Sequence, residues 1–135
     1  MRDEPTVDDL LEAARESLLE HVLPRMPDNA RLEVLMIANA LAIARRVSAA
    51  GAAPLCSELR DLEAVYGLAP NTDLHGSDPD AKLHELNVQL ARDIRCGKFD
   101  RPHAGHETVA SLLWNVTLDK LRECRPKMLR TEGIE

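Results

Sequence analysis

The chain has 135 residues and a mass of 15.0 kDa, enough for a single domain, 1–135, with a core of its own. Hydrophobic residues make up 44% of it but aromatics only 2%, so Ala, Leu and Val must build the interior, which favours helices over strands. A formal charge of −6 and almost no stacking rings argue against a nucleic-acid partner.

Punctuation divides the chain into five helical segments. Thr6 with Asp9 reads as a capping box opening a first helix over about 7–23, with Val7, Leu10, Leu11, Ala14, Leu18 and Val22 on one stripe. Pro24 and Pro27 end it. Asp28 or Asn29 can cap the longest segment, which runs to Ala50 and stops at Gly51. Pro54 opens a third helix that closes at Gly67, and residues 68–78 read as an exposed loop. Asp78 and Pro79 begin a fourth, with Leu83, Leu86, Leu90 and Ile94 inward and Gly97 as its stop. The fifth begins near His106 and carries Val109, Leu112, Leu113, Val116, Leu121 and Cys124 before Pro126. An ordered core of about 6–126 and a flexible tail at 127–135 follow.

The second segment poses a question. Within VLMIANALAIARR, Asn39 is the one polar residue from Val34 to Ala44. It shares a helix face with Leu32, Leu35, Met36, Ala42, Ile43 and Arg46, while Val34, Ile37, Ala38, Leu41 and Ala44 make the other side apolar too. A helix that is hydrophobic all round is buried all round, so this one belongs at the centre of the fold or with one side against a second chain. Buried there, the Asn39 amide requires polar partners, and Asn87, Trp114 and Thr117 are the candidates. The fold class expected is all-α, a compact up-and-down bundle of about five helices around a central hydrophobic helix two.

ANALAIARR, together with LNVQLARDIRCGKFD from Leu86 to Asp100, TLDKL from Thr117 to Leu121 and the opening DLLEAARESLLEHVLP, resembles an uncharacterised bacterial family of small all-helical proteins. Members are often encoded beside, or attached to, phosphotransferase-like kinases of the aminoglycoside-kinase type and acyl-CoA dehydrogenases. The likeness spans most of the chain and is faintest between Gly51 and Asp80. The resemblance implies an accessory to acyl-CoA or phosphoryl-transfer metabolism and singles out Asn39, Arg46, Asn87, Arg95, Asp100 and Lys120 at matching positions. Near its end the family tends to have Asp-Asn-Pro where this chain has Cys124, Arg125 and Pro126, which leaves no role to carry over to that turn.

Recognisable catalytic patterns are absent from the sequence. His84 and Glu85 lack the second histidine of a zinc helix, no glycine-rich phosphate loop occurs, and no serine sits in a nucleophile elbow. In the loop DRPHAGHE, His103 and His106 with Asp100 and Glu107 could supply metal ligands, but HxxH in a loop lacks the helical register that fixes two imidazoles on one ion. Neither a metal nor another cofactor is expected. Cys56, Cys96 and Cys124 lie far apart with no CxxC pair and read as free, buried thiols of a reducing compartment. The acidic N-terminus has no apolar signal core, and no apolar run approaches the roughly 20 residues of a membrane span. A cytoplasmic, non-catalytic interaction module follows, binding itself, a kinase-like protein or a dehydrogenase. The alternative is a small-molecule protein or enzyme for an acyl-CoA or phosphate-bearing ligand, with Asn39, Asn87, Arg95 and Lys120 lining a pocket between helices two, four and five.

Overall fold

The structure is a computed structural model that describes residues 4–69 and 78–134. Most of the loop expected at 68–78 lies outside the described residues. Those described form an all-α helical bundle of six α-helices: α1 (Val7–Ser17), α2 (Asp28–Ala50), α3 (Ala53–Val65), α4 (Pro79–Arg95), α5 (His106–Cys124) and α6 (Pro126–Thr131). Contacts group the chain into two units, Met1–Gly51 with Arg122–Pro126, and Ala52–Leu121 with Lys127–Glu135.

In the first unit, α1 packs along α2. The capping box is formed as the sequence requires. Thr6 N–H donates to Asp9 Oδ2 at 2.9 Å, and Asp9 N–H donates to Thr6 Oγ1 at 3.2 Å. The Thr6 hydroxyl also donates to Asp9 Oδ2 at 2.6 Å, and this bond above all holds the Asp9 carboxyl below its ordinary range. Beyond Ser17 the chain stays helical through a π turn (Leu18–Val22) and a 3-10 turn (Leu23–Arg25). Pro24, with no N–H to give, sits in that last tightened turn. Helix α2 ends at Gly51, whose φ of +60° is open to glycine at little cost.

The second unit has its core where α3, α4 and α5 meet. Leu62 of α3, Leu90 of α4, and Val109 and Leu112 of α5 are buried together, and Val65, Leu83, Leu86, Phe99 and Val116 pack around them. Polar ties reinforce the α3–α4 contact. Glu63, only 3% exposed, receives the Lys82 ammonium, and the Asn87 amide donates to Glu58 at 2.8 Å. Asp93 accepts from Lys98 at 2.8 Å, Gln89 at 3.0 Å and the Tyr66 hydroxyl at 3.1 Å. The Lys98 contact, chiefly, keeps the Asp93 carboxyl low, while burial first and then the Asp93 bond push the Tyr66 hydroxyl up to about 12.

Several expectations are corrected. The tail is not loose from residue 127: Pro126, read as a stop, occupies the first turn of α6, where its missing N–H costs nothing, and Leu129 is 0% exposed. Helix α2 is not buried all round, since Val34 and Ala38 alone of its residues are buried. Val7 and Leu10 of α1, Ile94 of α4 and Leu113 of α5 also leave their expected stripes for the surface. All three cysteines are free and exposed rather than buried.

Two measurements follow. Leu62→Ala removes a fully enclosed side chain and lowers the urea-unfolding free energy by about 3 kcal/mol; a loss below about 1 kcal/mol would place the core elsewhere. Tyr66 is the one tyrosine of the chain, so its ultraviolet titration is unambiguous. The folded protein titrates near 12, and Asp93→Asn brings the midpoint down toward 10. Because the folded state holds this proton more tightly, the associated stability is complete below pH 10 and is lost as pH rises through about 12. A native midpoint at 10 would contradict the part-buried hydroxyl and its bond to Asp93.

Candidate functional site

Helix α2 carries the polar residue that the sequence singles out, and its surroundings differ from a core. Val34 and Ala38, one turn apart, mark the buried line. Asn39 is displaced about 100° around the axis from Ala38 and points to solvent, with no hydrogen-bond partner among the described residues. Around it the apolar side chains are uncovered too. Leu32 is 66% and Met36 63% exposed, and Leu35, Ile37 and Val47 are close to half exposed.

The partners expected for Asn39 are engaged elsewhere or exposed. The Asn87 amide is spent on Glu58, the Thr117 hydroxyl donates back to the Leu113 carbonyl at 2.7 Å, and Trp114 is exposed. A lone asparagine in an apolar run cannot by itself report whether its flank meets its own chain, another chain or water.

The other edge of α2 is held by charge. Arg45 Nε donates to Asp8 Oδ1 at 2.8 Å and its terminal nitrogen reaches Glu12, one turn further along α1. The Asp8 bond, first, raises the already high pKa of the guanidinium, so Arg45 is a cation at every relevant pH. Glu12 lies 3.7 Å from Arg15 as well. Sequence reasoning missed this clasp, although Asp8 and Glu12 at i and i+4 present two carboxylates on one face of α1.

Arg46 is part-buried. Its Nε donates to the backbone carbonyl of Glu123 at 2.5 Å, in the last turn of α5, and no acidic side chain pairs with it among the described residues. With Thr6, Asp8, Glu12, Arg15, Arg45 and Ser48 it lines an open groove of about 1260 Å³ between α1 and the C-terminal half of α2.

The remaining candidates lie on the second unit. Arg95 and Lys120 are exposed, and Asp93, the acid nearest Arg95 in sequence, pairs with Lys98 instead. His106 Nδ1 lies 2.9 Å from the Phe99 carbonyl, where its N–H tautomer donates, and His103 is exposed with its backbone N–H bonded to the Asp100 carbonyl at 2.9 Å. Both histidines therefore take part in the turn that leads into α5. Among the described residues no three His, Cys, Asp or Glu side chains converge as metal ligands, and no single helix is long and apolar enough to cross a membrane.

No curated protein and no solved structure matches the chain. A family described as a domain of unknown function does match it, over residues 24–128, a span that takes in α2 through α5 and most of the residues discussed above. The chain belongs to that family, DUF6285.

Proposed function

We propose that the chain is a cytoplasmic, non-catalytic interaction module that docks through the solvent-facing side of α2. The observation that carries this reading is the exposure of Leu32, Leu35, Met36 and Val47 on one regular helix. Scattered apolar residues on a surface need no explanation, but several large ones aligned over a helix mark a contact surface. Held by the Arg45 clasp on its other edge, α2 presents this strip on a rigid element rather than a loop.

The partners this reading names are those implied by the sequence resemblance, a phosphotransferase-like kinase or an acyl-CoA dehydrogenase, together with the chain itself. A second reading, a small-molecule binding protein, has one observation in its favour. Arg46, a cation with no acidic partner among the described residues, lines the α1–α2 groove and could meet a phosphate or carboxylate.

Light scattering after size exclusion, alone and with a phosphotransferase-like kinase or an acyl-CoA dehydrogenase, tests the first reading. The expected result is an assembly larger than one chain that Leu32→Glu with Met36→Glu abolishes while far-ultraviolet helicity is kept. A strict monomer indifferent to both partners would refute docking. For the ligand reading, thermal shift with an acyl-CoA, a nucleotide and inorganic phosphate is decisive. A ligand at about 100 times its dissociation constant stabilises the fold by about 2.7 kcal/mol, an effect that Arg46→Ala removes.

A further inference from the structure

We infer that the docking face of α2 pairs with α2 of a second copy, antiparallel, with the two-fold axis at Asn39. The inference rests on the docking reading above and names its occupant.

Three observations select a second copy. The first is spacing. Leu32, Met36, Asn39, Ile43, Arg46 and Ala50 alternate by four and three residues, the repeat with which two helices keep a common seam. The second is position. Helix α2 runs from Asp28 to Ala50, so Asn39 is its central residue, with eleven on either side. An antiparallel two-fold through that point sets Asn39 against Asn39 of the partner subunit. An amide carries both a donor and an acceptor, so a symmetric pair satisfies itself. The same register sets Met36 against Ala42 and Leu35 against Ile43 across the axis.

The third is charge. Asp28 at the start of α2 and Arg46 near its end lie on the same flank, and neither has a side chain of opposite charge paired with it among the described residues. Reversing one helix against the other brings each Asp28 toward an Arg46 of the other copy, one such pairing at each end of the seam. The opposed helix dipoles cancel in the same arrangement. Each exposed strip, from Leu32 to Val47, is about 23 Å long, and two of them remove on the order of 1,000 Å² from water, the lower bound for a specific interface.

Cysteine cross-linking reads the register directly. Facing helices about 8–10 Å apart leave roughly 3.4–5.4 Å between the α-carbons at the axis, which overlaps the disulfide range. Asn39→Cys is made with Cys56→Ser, Cys96→Ser and Cys124→Ser, so that it is the one thiol. Under mild oxidation it forms a covalent dimer, seen on a non-reducing gel, while Ile37→Cys in the same background stays monomeric. Asp28→Arg weakens the dimer of the cysteine-free protein on the order of tenfold, and adding Arg46→Asp restores it.

A protein that sediments as a dimer but cross-links through Ile37→Cys and not Asn39→Cys would overturn this pairing and leave the docking reading standing. Sedimentation as a monomer at about 100 µM, with no Asn39→Cys product, would also overturn the pairing. Binding of the kinase or dehydrogenase then decides the docking reading separately.

Discussion

Helix α2 carries more apolar side chain than one neighbouring helix can cover. A packed helix shields a stripe little wider than a quarter of its partner's circumference, and α1 covers the line of Val34 and Ala38. Leu32, Leu35, Met36, Ile37 and Val47 lie outside that stripe and stay in water. Leaving them exposed forgoes roughly 1 kcal/mol or more of transfer free energy per side chain, so the arrangement favours any surface that covers them. The proposed docking function and the pairing of two copies both derive from this mismatch.

The charged clasp fixes which stripe is left out. Arg45 holds Asp8 and Glu12 at the start of α1, and the guanidinium geometry orients α1 against the C-terminal half of α2. Exposed pairs of this kind contribute little to stability, but they choose among packings that the hydrophobic effect alone would leave nearly equal. In the second unit the ordering device is more buried. Glu63 with Lys82, and Tyr66 with Asp93 and Lys98, tie α3 to α4 around Leu62. Removing Lys82 would leave Glu63 without the ammonium that offsets its burial, which is why such a pair specifies one packing.

The polar residues singled out by sequence divide into those engaged by neighbours, as Asn87 is by Glu58, and those facing water, as Asn39, Arg95 and Lys120 do. Arg46 stands between these groups, anchored by one nitrogen to a carbonyl with its charge unmatched among the described residues. It is the residue on which the self-pairing and ligand readings make different demands, since the first gives it an aspartate across a symmetry axis and the second an anion in the α1–α2 groove.

The sequence by itself determined where the first five helices lie. Thr6 with Asp9, Asp78 with Pro79, and the glycines at 51 and 97 act through bonds and backbone angles a few residues away, and all of them punctuate the chain as read. Stripes with one polar side, such as Leu83, Leu86 and Leu90, also fix their own inward face. Only the tertiary structure decided which side of α2 is covered, because a segment apolar on every side offers no preferred face and the choice falls to distant groups, Asp8 and Glu12. The burial of Leu129 was hidden for a related reason: six residues of α6 are too few to show a period, and contact with the rest of the fold, rather than local pattern, puts that side chain inside.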